Sequence, residues 1–281
     1  MNWVYHADAV RRRLQRNVLL ILAFALLTAC TAGTLTSSEP STPTAVPSST
    51  PVSREEETRF SQQREQMVVK TIKNRGVTDE NVLQAMEDVP RHLFVPEDQQ
   101  AAAYGDYPLP IGFGQTISQP YIVAMMTELL ELEEGDKVLE VGTGSGYQAA
   151  VLAELPGVEV YTIEIIPELA KRGEETLKSL GYTDVHCKQG DGYYGWPGHA
   201  PFDGIIVTAA PDHVPPPLRD QLAVDGRMVI PIGPPGGYQT LWQFVKQPDG
   251  ELKAYNKGGV AFVPFTGKGI RGNEEGGGWP P

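Results

Sequence analysis

Cysteine is scarce in this chain of 281 residues: Cys30 and Cys187 are the two it has, so at most one disulfide could form. None is expected. The five histidines, His6, His92, His186, His199 and His213, show no metal-ligand spacing such as His-Glu-x-x-His, and no metal is expected. Basic side chains are outnumbered 23 to 35 by acidic ones, for a formal charge of -12. A surface that acidic repels phosphate backbones, which argues against a nucleic-acid partner. The apolar run Val18 to Leu27 is far short of the ~20 residues that span a bilayer as a helix.

That short run has an informative setting. Arg11-Arg-Arg-Leu-Gln-Arg16 precedes it and Leu27-Thr-Ala-Cys30 follows, the order of n-region, h-region and small-residue cleavage site in an export signal. The Leu-x-Ala-Cys string resembles the bacterial lipoprotein signal, which implies acylation of Cys30 and a membrane anchor of two or three chains. Cleavage there would remove four arginines and one aspartate, taking the net charge from -12 to -15. An uncleaved signal anchor is the alternative, and it too would place the rest of the chain outside the cytoplasm. The division expected is a signal peptide over 1-29, a disordered Ser/Thr/Pro-rich tether over 30-54, one catalytic domain over 55-267, and a flexible Gly/Pro-rich tail over 268-281.

Within the domain, apolar spacing predicts a surface helix from Glu55 to about Arg75, ended by Gly76, and a second from a Thr78 cap through Met86, closed by Pro90. A short helical stretch near Glu97 to Tyr104 leads into a Gly- and Pro-rich loop at 105-120. Pro120 then starts a helix to Leu130, capped by Ser118 or Gln119. This would set the Thr116 and Ser118 hydroxyls beside unpaired N-H groups, a place to hold an anion. After Gly135, short apolar strands alternate with amphipathic helices: strands at 137-141, 158-164, 185-189, 202-207 and 227-232, helices from Tyr147, from Pro167 to Leu180 and near Leu218. That alternation indicates an α/β doubly wound parallel sheet. The last strands are expected at Leu241 to Lys246 and Val260 to Pro264.

Glu140-Val-Gly-Thr-Gly-Ser-Gly146 closes the first of these strands, and its glycines allow a sharp turn and close ligand approach. The dinucleotide fingerprint wants a third glycine or alanine where this chain has Tyr147, so a nicotinamide cofactor is disfavoured. No Lys-Ser/Thr pair follows a Gly-x-x-x-x-Gly, so it is not a P-loop either. Glu164 ends the second strand, where an acidic side chain can accept from ribose hydroxyls.

Upstream lies Leu109-Pro-Ile-Gly-Phe-Gly-Gln-Thr-Ile-Ser-Gln-Pro-Tyr121, whose Gln-Thr-Ile-Ser-Gln-Pro resembles the substrate loop of protein-L-isoaspartate O-methyltransferases. Val-Pro-Arg (89-91), Val-Leu-Glu-Val-Gly-Thr-Gly-Ser-Gly-Tyr (138-147), Gly-Asp-Gly (190-192), Phe-Asp-Gly-Ile-Ile-Val-Thr-Ala-Ala-Pro (202-211) and Val-Pro-Phe (263-265) follow the same family's order. The resemblance, over roughly 55-267, implies a Rossmann-like S-adenosylmethionine-dependent methyltransferase fold with a helical N-terminal extension. It implies methylation of the α-carboxylate of L-isoaspartyl residues in damaged proteins, a repair activity, with isoaspartyl proteins and peptides as partners and a monomeric enzyme.

By the same resemblance S-adenosylmethionine contacts Gln115, Thr116, Glu140, Gly142, Thr143, Gly144, Gly146, Glu164, Asp191, Gly192 and Gln239. Thr116, Ser118 and Val263 meet the substrate, with Ser118 as the active-site serine. Ser118 is no hydrolase nucleophile, since no Gly-x-Ser-x-Gly surrounds it. Cys187 reads as a core thiol. Two rival readings stay open: a methyltransferase of the same fold acting on another carboxylate, and a tethered binding protein without turnover. Base-directed methylation is disfavoured, because Ala209-Ala-Pro211 stands where an Asn/Asp-Pro-Pro-Tyr/Phe string would be.

Overall fold

The computed structural model describes residues 54-234 and 237-271. The signal over 1-29, Cys30, the tether up to Ser53 and the tail beyond Arg271 lie outside the described residues. Arg54, assigned to the tether, already begins the first helix, α1 (Arg54–Gln66). A π-helical turn (Met67–Ile72) and a 3-10 turn (Lys73–Arg75) extend it, and Gly76 ends it at φ +103°. Helix α2 (Glu80–Asp88) is capped by Asp79, whose carboxylate accepts from the N-H groups of Asn81 and Val82. Thr78 was the expected cap. Its N-H and hydroxyl instead bond the Glu128 carboxylate, which leaves the capping position to the next acceptor in sequence.

Two strands occupy the segment read as a loop. β1 (Leu109–Gly112) and β2 (Gln115–Ile117) form an antiparallel hairpin that buries Leu109, Ile111 and Ile117. Four and three residues are too short for alternation to stand out in sequence. Helix α3 (Pro120–Glu128) follows with Pro120 in its first turn, and Gln119 holds the cap position with no side-chain cap bond.

The remaining elements are β3 (Lys137–Val141), α4 (Tyr147–Glu154), β4 (Glu159–Glu164), α5 (Pro167–Ser179), β5 (His186–Gln189), β6 (Phe202–Val207), α6 (Pro216–Gln221), β7 (Leu222–Ile232), β8 (Gln239–Lys246), β9 (Leu252–Val260) and α7 (Lys268–Arg271). The seven strands β3 to β9 make one sheet in the order β5-β4-β3-β6-β7-β8-β9. Strands β3 to β7 pair in parallel, and β8 and β9 complete the sheet antiparallel. The expected doubly wound α/β sheet is therefore present.

Its two faces follow from strand alternation. Val138, Ile206 and Val229 pack with Met86 and Leu152 on one side, while Leu139, Ile205 and Ile230 pack with Leu218 and Phe202 on the other. Burial on both faces explains why these strands read as continuous apolar runs. The chain passes from β3 outward to β4 and β5, then returns to β6 on the opposite side of β3. That reversal opens a crevice at the carboxyl ends of β3 and β6, where open α/β sheets bind ligands.

Two terminal expectations are corrected. Val260 to Pro264 is not a strand: only Pro264 makes an isolated bridge, to Ala210, and the last strand is Leu252–Val260. It was invisible to apolar patterning because it is an edge strand, exposed at nearly every position. The tail expected from 268 begins instead with α7, held by N-H bonds from Lys268 and Gly269 to the Asp191 carboxylate.

Candidate active site

The crevice is built around the glycine loop. Gly142 follows β3 at φ +106°, and a Cβ there would stand 2.3 Å from the Thr208 hydroxyl. Only glycine lets the backbone make that turn and pass so close to β6. The Thr208 hydroxyl reaches the Val141 and Gly142 carbonyls at 3.0 and 2.8 Å, tying the ends of β3 and β6 together. Glu164, at the end of β4, accepts from Gly144 N-H (2.8 Å) and Ile166 N-H (2.9 Å), one bond to each carboxylate oxygen. Each oxygen keeps a second acceptor direction. The cleft, about 580 Å³ of empty space including its open mouth, is walled by Gln115, Thr116, Gly144, Glu164, Gly192 and Val263 among others.

A recess behind it shares Thr116, Gly142, Gly144 and Thr208 with the cleft, and Glu140 and Ser118 line it. Glu140 is fully buried. Thr143 donates to Thr162, whose hydroxyl donates to Glu140 Oε2 at 2.6 Å. Oε1 has no partner. Burial, reinforced by the Glu164 charge and opposed by the Thr162 bond, pushes the Glu140 carboxyl up to about 8 from 4.5.

The sign of the stability effect follows. Because the folded protein keeps a proton that the unfolded chain releases, the contribution of this group is fully present below about pH 4.5. It is lost as pH rises through about 8. Replacing Glu140 with glutamine removes the titration. Urea unfolding at pH 5, 7 and 9 should show the variant gaining on the wild type with pH, by up to roughly 1.4 kcal/mol per unit. A difference independent of pH would reject a protonated Glu140.

The loop that carries Gln115 to Pro120 is held from beneath by Arg91, which is fully buried. Its Nε donates to the Ala103 carbonyl at 2.7 Å and its Nη2 to the Ser118 carbonyl at 2.8 Å, with the guanidinium over the Tyr147 ring. One of the N-H groups at the N-terminus of α3 that was expected to be unpaired is already taken. Asp106 accepts from Tyr121 N-H at 3.2 Å and the Gln119 amide at 2.7 Å, and pairs with Arg75 at 2.6 Å. The hydroxyls of Thr116 and Ser118 make no hydrogen bond among the described residues. They face open space: Ser118 borders the recess and also a wide surface groove, and Thr116 and Thr208 border cleft, recess and groove alike.

Most of the residues singled out from sequence converge here. Gln115, Thr116, Gly142, Gly144, Glu164, Gly192 and Val263 wall the cleft, and Glu140, Thr143 and Ser118 the recess. Three stand differently. Gly146 packs against α5, where a Cβ would meet Leu177 at 3.0 Å and the Gly173 carbonyl at 3.2 Å. Gln239 is buried off the cleft wall: its amide donates to the Pro234 and Gly237 carbonyls and accepts from Phe262 N-H. Asp191 lies beside the cleft with its carboxylate taking N-H groups of Tyr193, Lys268 and Gly269, which leaves one acceptor direction on Oδ1.

Sequence reasoning gave no role to Arg91, Asp106 or Thr208. The polar residue directly after the apolar run 202-207 was the available signal for Thr208, because a strand's carboxyl end points into the crevice. Cys187 is half-buried on the edge strand β5, a free thiol pushed up to about 11 by burial.

The family model for protein-L-isoaspartate(D-aspartate) O-methyltransferase matches residues 62-269. The chain belongs to this family. It is 56% identical over 202 residues to the protein-L-isoaspartate O-methyltransferase of Gloeobacter violaceus, an alignment covering 71% of this chain and 97% of that one. With protein-L-isoaspartate O-methyltransferase 2 of Shewanella sediminis it shares 52% over 217 residues, 77% of this chain and 88% of that one. Among solved structures, a protein-L-isoaspartate O-methyltransferase superposes with a TM-score of 0.66 at 31% identity, covering 73% of this chain and 66% of the other. A family member from Plasmodium falciparum, described as putative and solved in complex with S-adenosyl-L-homocysteine, gives 0.61 at 25% identity, covering 72% and 98%.

Proposed function

We infer that this chain is an S-adenosylmethionine-dependent protein-L-isoaspartate O-methyltransferase that esterifies the α-carboxylate of L-isoaspartyl residues in damaged proteins. The observation that carries the mechanism is the meeting of donor cleft, recess and outer groove at Thr116 and Thr208, with Ser118 alongside. Cleft and recess together fit the donor: a glycine turn with no room for a Cβ and spare acceptor directions on Glu164 in the cleft, and in the recess a buried Glu140 carboxyl oxygen without a partner among the described residues, suit a cationic nucleoside. When bound, S-adenosylmethionine supplies an electrophilic methyl group on a sulfonium.

Each residue then has a defined task. With the donor bound, Glu164 would accept from ribose hydroxyls, the remaining acceptor of Asp191 would meet the adenine amine, and Glu140 would face the positive charge at the donor's amino-acid end, which would favour loss of its proton. Thr116 and Ser118 donate to the substrate carboxylate and orient it, and the backbone at Val263 holds the peptide. No general base is needed, because a carboxylate with a pKa near 4 is already ionised at neutral pH. Proximity and orientation supply the acceleration, for which roughly 7 to 11 kcal/mol is accessible.

The test is methyl transfer from labelled donor to an isoaspartyl peptide and to its normal aspartyl twin. Labelling of the isoaspartyl peptide alone is expected. Equal labelling of both would favour a broader carboxylate methyltransferase, and donor binding without transfer would favour a tethered binding protein.

The arginine cluster, short apolar run and Leu27-Thr-Ala-Cys30 support an exported enzyme anchored to the membrane through acylated Cys30. In a bacterial host the full chain should take up labelled fatty acid and sediment with membranes. Cys30→Ser should abolish the labelling while methyl transfer persists. An unmodified N-terminus at or after Met67 by mass spectrometry would refute export.

A further inference from the structure

The outer groove contains an asymmetry of charge that the methyl transfer itself does not use. Arg75 and Lys257 line it, and no aspartate or glutamate does among the described residues. Arg75 is already spoken for, paired with Asp106 at 2.6 Å and laid on the Tyr121 ring at 3.6 Å. Lys257 makes no ion pair among the described residues; its ammonium lies 5.6 Å from the centre of the Tyr255 ring, which Lys253 also approaches at 5.3 Å. On a chain with a net charge of -12, an uncompensated cation in the wall of a groove that runs to Ser118 is out of keeping with the surface around it.

Its placement is built into the backbone. Register on β8 and β9 pairs Thr240 with Gly259 and Trp242 with Asn256, so Lys257 and Gly258 together stand against Leu241 alone. This two-against-one arrangement is a β-bulge, a device that turns side chains out of strand alternation at sheet edges. Gly258 takes φ +107°, which a side chain would resist, and the Asn256 side chain accepts its N-H at 2.9 Å. The sequence Asn-Lys-Gly-Gly thus fixes an exposed kink in which the lysine carries the charge.

We propose that the groove holds the peptide segment flanking the isoaspartyl residue and that Lys257 selects segments with an acidic side chain next to it. This rests on the repair-methyltransferase reading given above. The substrate's own α-carboxylate is taken by Ser118 and Thr116, so the charge Lys257 reads is a second one. Isoaspartyl sites in acidic stretches are then the preferred substrates, drawn to the groove against the repulsion of the rest of the surface.

The test uses isoaspartyl peptides identical except for Glu, Gln or Lys at the neighbouring position, one series on each side of the isoaspartate. For the wild type, kcat/KM should fall in the order Glu, Gln, Lys in at least one series. The Glu-to-Lys ratio should be about fivefold, the size of one exposed ion pair, and should shrink with added salt. Lys257→Glu should invert the order and Lys257→Gln should flatten it. Lys171→Glu, exposed on α5 and outside the groove, should leave the order intact and so separates a local contact from net charge. A loss in Lys257→Glu shared equally by all three peptides would overturn the proposal, since it would place Lys257 on the common carboxylate. An unchanged order would overturn it as well. Failure of the underlying reading looks different: the wild type would then methylate none of the peptides, and the proposal falls with it.

Discussion

Ser118→Ala is expected to lower kcat on an isoaspartyl peptide by at least tenfold while leaving donor affinity within about twofold. The serine hydroxyl makes no hydrogen bond among the described residues and borders both the recess and the groove, whereas its carbonyl is what Arg91 holds. Removing the hydroxyl therefore subtracts a donor to the substrate carboxylate without loosening the loop. An interaction made only in the reacting complex lowers kcat and kcat/KM together, and tenfold corresponds to about 1.4 kcal/mol. Single-turnover kinetics with saturating donor, together with calorimetry for donor binding, separates the two quantities. Turnover at the wild-type level would remove Ser118 from the orienting role.

The asymmetry between this residue and its neighbours explains what could be read in advance. Strands β3, β4, β6 and β7 are legible because a parallel sheet covered on both faces demands unbroken apolar runs, and the glycine turn because a close backbone approach demands glycine. Strand β9 carries no such demand. With Asn256, Lys257, Gly258 and Gly259 at an exposed edge, it has the composition of a turn, and pairing with β8 alone makes it a strand. The same holds for the charged groups. That Asp106 would cap α3 depends on a contact across fifteen residues, and that α7 would fold onto Asp191 on one across seventy-seven or more. Neither leaves a local periodicity. Gln239 is instructive in the other direction: a polar side chain in a Gly-rich segment reads as a ligand contact, but burial made its amide a bracket for three backbone groups.

Arg91 is the sharpest case, because its string Val-Pro-Arg was recognisable while its task was not. A charged residue after proline suggests surface, yet this guanidinium is fully buried and carries two carbonyls from segments twelve and twenty-seven residues away. Burial lowers its pKa, and the Tyr147 ring beneath it offsets part of that cost. Arg91→Met keeps much of the volume and forfeits both bonds. Each buried acceptor left unpaired costs about 1 to 3 kcal/mol, so a loss of roughly 3 kcal/mol in urea unfolding is expected. The folded fraction should turn over more slowly as well, since the Ser118 segment loses its support. Arg91→Lys should not restore either property: an ammonium is a single point of donation and cannot reproduce the planar fork that spans both carbonyls. Stability within 1 kcal/mol of wild type in Arg91→Met, or full rescue by lysine, would show that the loop is held by its apolar contacts at Ile117 and Val123 instead.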